Sequence, residues 1–117
     1  MYLDANENPF ETGLNRYPDP LAAAVKAELE SIKGISPQQM MLGNGSDEVI
    51  DLLFRIFCEP GQDEVIILPP TYGMYQVSAD INNVAVKKVP LKSGFVPDVD
   101  AILAAVTERT KILWLCT

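Results

Sequence analysis

Asp63-Glu64-Val65-Ile66-Ile67-Leu68-Pro69-Pro70-Thr71-Tyr72-Gly73-Met74-Tyr75 is the stretch on which the fold turns. Its apolar run through Leu68 does not alternate with polar residues. A strand covered on both faces of a parallel sheet needs that composition. The residues from Thr71 to Ile81 read as a helix, and Asn82-Asn83 as a turn. The alternation then repeats. Val84 to Val89 reads as a strand, Pro97 to Val106 contains a helix, and Lys111 to Leu115 is a last strand rich in Ile, Leu and Trp. Strands alternating with helices predict α/β architecture.

Upstream, Ser46 to about Cys58 reads as a helix ended by Pro60-Gly61. Its Val49, Ile50, Leu52, Leu53, Phe54, Ile56 and Phe57 cover most of the circumference, which predicts burial on nearly all sides. Met40-Met41-Leu42, closed by Gly43, reads as a brief strand. Leu21, Val25 and Leu29 recur at helical spacing, followed by Ile32, with alanines between them. Asp19-Pro20 offers this helix an N-cap and a fixed first turn, and Gly34 a stop. Residues 1–20 are polar and rich in Asn, Pro and Gly, so they read as an extended arm. Such an arm has no core of its own and must be mobile or lie on another surface. The expected organisation is therefore an arm over 1–20 and part of an α/β domain over 21–117. No repeat or low-complexity tract interrupts it.

The chain has 117 residues, enough for one domain or part of one. Hydrophobic residues make up 48% and charged residues 21%, an ordinary globular balance that argues against general disorder. Its net charge of −7, without a basic stripe, argues against a nucleic-acid surface. The apolar runs are far too short for a membrane span, and the N-terminus lacks the pattern of a secretory signal, so a cytoplasmic protein is expected. Without His, triads built on imidazole and the commonest metal ligand are absent. Cys58 and Cys116 lie in apolar segments and are each expected as buried free thiols.

Ligand groups in open α/β sheets lie just beyond the carboxyl ends of strands. The last strand runs out at Cys116-Thr117, where a functional loop would begin, and this predicts a segment of a larger protein. A sheet cut partway leaves an unpaired edge and apolar helix faces, which predicts self-association.

Three stretches carry possible chemistry. Gly43-Asn44-Gly45-Ser46-Asp47-Glu48 joins a short strand to a helix start. Glycines let the backbone turn tightly and approach a ligand, and a helix N-terminus offers unpaired N–H groups and partial positive charge to a phosphate. The Asp47 backbone N–H can serve there while its carboxylate points elsewhere. The plain alternative is a Gly turn with Asn44 or Ser46 as N-cap. Tyr72 and Tyr75 follow the Leu68 strand end, on the same side of the sheet. Tyr72 is the better placed to stack on a planar ligand, and the alternative is that both tyrosines simply pack. In the arm, Arg16 and Tyr17 together can reach an anion, or stay solvated.

Four stretches together, in order, resemble histidinol-phosphate aminotransferases, class II pyridoxal-phosphate-dependent enzymes of fold type I. They are Leu3-Asp4-Ala5-Asn6-Glu7-Asn8-Pro9, Asn15-Arg16-Tyr17-Pro18-Asp19-Pro20, Gly43-Asn44-Gly45-Ser46-Asp47-Glu48, and Pro69-Pro70-Thr71-Tyr72-Gly73-Met74-Tyr75. The similarity spans essentially the whole chain and corresponds to the N-terminal segment of a family member. It implies part of a large domain with a mixed, mostly parallel sheet flanked by helices, plus an extended N-terminal arm.

The resemblance implies pyridoxal 5'-phosphate as cofactor. Gly45, Ser46 and Asp47 would hold its phosphate, Tyr72 would stack on its ring, and Tyr17 would reach the phosphate of the other subunit in a homodimer. Asn6 and Asn8 would border the substrate pocket. The implied reaction is transamination between histidinol phosphate and 2-oxoglutarate in histidine biosynthesis. The Schiff-base lysine and the acid facing the pyridine nitrogen come later in family members. None of Lys26, Lys33, Lys87, Lys88, Lys92 or Lys111 has the family's Schiff-base context. The segment therefore contains no catalytic residue of its own and is expected to be inactive alone. A phosphothreonine decarboxylase-like enzyme, or a noncatalytic fragment, is the alternative.

Overall fold

The computed structural model describes residues 5–116. In chain order these form α1 (Ala23–Lys33), a short 3-10 turn (Pro37–Gln39), α2 (Ser46–Phe57), β1 (Glu64–Ile67), α3 (Met74–Ile81), β2 (Ala85–Lys88), α4 (Val99–Ala105) and β3 (Thr110–Trp114). The chain divides into two compact units, Met1–Leu42 and Gly43–Thr117.

In the second unit the sheet order is β2-β1-β3, and β1 is parallel to both neighbours. Val65 lies opposite Val86 on one side and Ile112 on the other. A parallel pair needs a crossover, and the segments between the strands supply one helix each, α3 and α4. All four β1 residues are buried. Successive side chains of a strand point to opposite faces, so the apolar run supplies two cores at once. Val65 and Ile67 join Ile50, Phe54, Tyr75, Ala79 and Val84 in one core, with Ile112 and Trp114 against it. Ile66 and Leu68 join Val89 and Ile102, from α4, in the other. This is the physical reason the run does not alternate.

Glu64 is the exception in β1, a carboxylate that is only 2% exposed. Lys87 Nζ lies 2.8 Å from it. The hydroxyls of Thr107 and Thr110 donate to it at 2.5 and 2.9 Å. These partners hold its carboxyl down at about 2, first through Lys87 and then Thr107.

Several expectations are corrected. Met40-Met41-Leu42 forms no strand. Met40 has extended dihedrals, but extended backbone becomes a strand only with a ladder partner. The α2 helix is not buried all round: Ile50 and Phe54 are buried, while Leu52, Ile56 and Phe57 are exposed. The sheet and α3 cover one side of it and nothing among the described residues of this unit covers the other. The first helix starts at Ala23, later than Asp19-Pro20 implied, with Ala22 in the left-handed region at φ 49°. Asp19 still acts as a cap at a distance, its carboxylate accepting from the Leu21 and Ala23 N–H groups at 2.9 and 2.8 Å. Gly34, left-handed at φ 67°, ends α1 as its sequence position indicates. Both cysteines are free, but only Cys58 is buried. Cys116 lies beyond the end of β3 and is exposed, because no neighbouring segment among the described residues of the unit covers it there.

Candidate functional site

The sequence places Gly45 at the N-cap of α2, where it takes φ 84° and ψ 166°. That region favours glycine. No side chain caps the helix, so neither Asn44 nor Ser46 performs the plain N-cap role. The first-turn N–H groups of Ser46, Asp47 and Glu48 have no intrahelical acceptor by construction, and all three residues are exposed. Apart from its own chain neighbours, no atom of the described residues lies within 4 Å of where a Cβ on Gly45 would sit. The space over this backbone is open. Gly43 differs, because a Cβ there would meet Val49 Cγ2 at 2.7 Å. The first glycine serves internal packing and the second faces open space.

Two carboxylates in the first turn, Asp47 and Glu48, stand where an anion would be drawn. Both are turned to other partners. Glu48 accepts from the Asn44 backbone N–H. Asp47 Oδ1 accepts from the Tyr72 hydroxyl at 2.9 Å, across 25 residues of sequence. This contact brings the start of α2 and the loop after β1 together at one edge of the sheet.

Tyr72 is 43% exposed and Tyr75 only 9%. The two tyrosines thus divide between an exposed position and a packing one. Tyr72 meets Tyr75 edge-on, with centroids 5.8 Å apart at 85°. Tyr75 stacks on Trp114 at 4.7 Å and 16°, and Trp114 lies 5.5 Å from Phe54. An aromatic chain therefore runs from the exposed ring into the core. Hydrogen bonding to Asp47 pushes the Tyr72 phenol above its ordinary value, then burial; a bond with the Ser46 hydroxyl opposes both. Burial raises Tyr75, with Cys116 adding to it. Thr71 Oγ1 and Trp114 Nε1 are buried at this same edge without a protein partner. An open glycine backbone, unpaired helix amides and an exposed ring backed by aromatics suit a flat ligand that carries an anionic group.

The arm belongs to the other unit and has its own geometry. Asn6, Asn8, Arg16 and Tyr17 line a cavity of about 240 Å³. Glu7, which stands between the two asparagines in the same arm stretch, lines it too. Its carboxylate takes Arg16 Nη1 at 2.7 Å and the Tyr17 backbone N–H at 2.8 Å. Those two bonds, Arg16 first, hold the Glu7 carboxyl below its usual range. Asn15, only 7% exposed, donates from Nδ2 to the Asn8 carbonyl at 3.4 Å. Asn8 Oδ1 is itself engaged by the Phe10 N–H at 3.0 Å. The Tyr17 side chain is 65% exposed. The signal for Glu7 was its place between two asparagines, but nothing local shows that a carboxylate will bridge to residues nine and ten positions on.

No helix among the described residues is long and apolar enough to cross a membrane. A family model for aminotransferase class I and II matches residues 4–117. The chain is 57% identical over 117 residues to a histidinol-phosphate aminotransferase of Christiangramia forsetii, covering all of this chain and 33% of that protein. A histidinol-phosphate aminotransferase of Bacteroides fragilis is 54% identical, with 34% of it covered. The chain thus spans about a third of the length of the curated relatives it matches. Among solved structures, N-succinyldiaminopimelate aminotransferase from Mycobacterium tuberculosis aligns with a TM-score of 0.70 at 32% identity, over 86% of this chain and 29% of that one. Aspartate aminotransferase from Thermus thermophilus, solved with maleate, aligns at 0.67 and 30% identity, over 80% of this chain and 25% of that one. The α/β architecture and the resemblance drawn from the four motifs agree with these matches. With its parallel sheet and the glycine-led start of α2, the chain belongs to the class I and II aminotransferase family.

Proposed function

We propose that the chain is the phosphate- and ring-binding segment of a pyridoxal-phosphate-dependent aminotransferase acting on histidinol phosphate and 2-oxoglutarate. The observation that carries the reading is the meeting of Tyr72 with the uncapped start of α2, at 2.9 Å through Asp47. The identity to histidinol-phosphate aminotransferases supports the substrate. Backbone N–H groups of Ser46 and Asp47 hold the phosphate of the cofactor and the Ser46 hydroxyl adds a donor, while Gly45, whose own N–H donates to the Gly43 carbonyl at 3.1 Å, contributes the open backbone beside them. Tyr72 would supply the ring on which the pyridine stacks. When bound, pyridoxal 5'-phosphate supplies an electron sink for the carbon that bears the amino group.

One residue of the arm, Tyr17, serves the same site in a second subunit of a homodimer. Tyr17 offers its exposed hydroxyl to the phosphate, and Asn6 and Asn8 border the substrate. The setting is cytoplasmic histidine biosynthesis. None of the residues present takes the Schiff-base role, so this segment binds and orients but does not react.

The test is made in the full-length parent protein. Cofactor absorbance and glutamate-dependent turnover with histidinol phosphate are expected, and the absence of both defeats the reading. Carbon dioxide release without glutamate chemistry would instead favour a decarboxylase. Tyr72→Ala is expected to weaken cofactor affinity about tenfold, as loss of an aromatic stacking partner does. Unchanged affinity, measured by equilibrium titration of the cofactor-free protein, counts against stacking.

A further inference from the structure

We propose that Asp47 acts through its side chain as the positioning residue for Tyr72, clamping the ring and at the same time drawing its own carboxylate off the α2 amides. The inference rests on the reading of Tyr72 as the ring-stacking residue and adds a role that the backbone N–H of Asp47 does not fill.

The geometry sets two constraints on the Tyr72 ring. One is the edge contact to Tyr75, which is itself stacked on Trp114. The other is the hydroxyl bond to Asp47 at the far end of the ring. A ring that is 43% exposed and held at one edge alone keeps rotational freedom about its side-chain bonds. A phenol bonded to a carboxylate is charge-assisted, and such bonds are shorter and stronger than neutral ones. The second contact therefore fixes the ring plane before a ligand arrives. Preorganisation of this kind lowers the ordering cost of binding.

The same bond solves a conflict in the sequence. A carboxylate in the first helical turn is attracted to the free N–H groups and the helix dipole. It would compete there with an incoming phosphate. Tied to Tyr72, the Asp47 carboxylate is committed sideways, as the Glu48 carboxylate is to the Asn44 N–H. The amides stay open to an anion although the turn carries two acids. The groups that face the Tyr72 hydroxyl and ring are Asp47 and Ser46 from α2 and Tyr75 from α3.

Four variants test the clamp: Asp47→Asn, Asp47→Ala, Tyr72→Phe and the Asp47→Ala/Tyr72→Phe double. In the full-length parent, pyridoxal 5'-phosphate affinity is expected to fall about fivefold in Asp47→Ala and in Tyr72→Phe, the scale of one lost hydrogen bond. The double variant should lose no more than either single change. Asp47→Asn retains an acceptor oxygen and should keep most of the affinity. A second readout needs no cofactor. Alkaline absorbance titration of this chain, with Tyr72→Phe subtracted to isolate one phenol, should show Tyr72 ionising at lower pH in Asp47→Ala than in the unsubstituted chain. Additive losses in the double variant, an unshifted phenol, or Asp47→Ala binding as tightly as the unsubstituted protein overturns the clamp. If Tyr72→Ala also leaves affinity unchanged, the stacking role itself fails. If Tyr72→Ala weakens binding while Asp47→Ala and Tyr72→Phe do not, only the clamp fails. Should Asp47→Ala not fold, the isosteric Asp47→Asn with Tyr72→Phe still decides: equal losses in both overturn the acceptor role.

Discussion

Phe54→Ala is expected to lower the free energy of unfolding by about 4 kcal/mol, the cost of removing a buried aromatic ring and leaving its cavity. Phe54 has no exposed surface and sits where α2 meets the sheet. Its ring lies 5.5 Å from Trp114, tilted by 34°. Trp114 is the single tryptophan, so its fluorescence reports on the loss. Urea denaturation followed at that residue should show a lower midpoint. The folded variant should emit at longer wavelength, because the cavity loosens the ring's surroundings. Phe54→Leu fills much of the space and should cost about half as much. The consequence reaches the candidate site, because Trp114 backs Tyr75 and Tyr75 backs Tyr72. A loss under about 1 kcal/mol would show that the core is not organised around this ring.

Glu64→Ala is expected to cost about 3 kcal/mol, as removing one member of a buried ion pair does. The substitution leaves Lys87, which is 35% exposed, with the Ala105 carbonyl at 2.9 Å but without its carboxylate, and leaves the Thr107 and Thr110 hydroxyls without their acceptor. Arg109 adds little, being 66% exposed and 3.5 Å away. Glu64 lies in the central strand, with Lys87 on one neighbour and Thr110 on the other. One carboxylate thus ties all three strands. Its folded carboxyl titrates at about 2 against an ordinary 4.5, so the unfolded chain binds the proton more readily. The stability this group supplies is complete above pH 4.5 and is lost as pH falls from there through about 2. Acid denaturation of Glu64→Gln should be flatter across that window than that of the unsubstituted chain. Identical acid limbs would mean that the cluster contributes nothing to folding.

The legibility of the fold differs from element to element. The strand at Glu64–Ile67 was readable because a run buried on both faces carries its own signature in composition. The start of α2 was readable because Gly45 and Ser46 mark a turn into a helix. By contrast, Met40–Leu42 is as apolar as a short strand, but no ladder partner meets it among the described residues. The burial of α2 was overstated for the same reason. Periodicity reports which side chains avoid water, and it cannot say what stands ready to cover them. Cys116 follows an apolar strand and is nonetheless exposed.

The candidate site shows the same division. Its two halves, the Gly45–Asp47 turn and Tyr72, were each visible as local chemistry. Their contact was not, since a hydroxyl and a carboxylate 25 residues apart meet only when a parallel sheet brings the two connecting segments to one edge. The contacts of Glu7 were not legible, because its partners are assembled by the arm's own turn.

Alone, then, the order of residues determined the α/β alternation, the central buried strand and the family, because hydrophobic pattern and backbone-specific residues act over a few positions. Tertiary structure decided which carboxylate faces which hydroxyl, which faces of α2 meet water and why Glu64 tolerates burial. Those outcomes depend on partners far apart in the chain, and local sequence carries no record of distance through space.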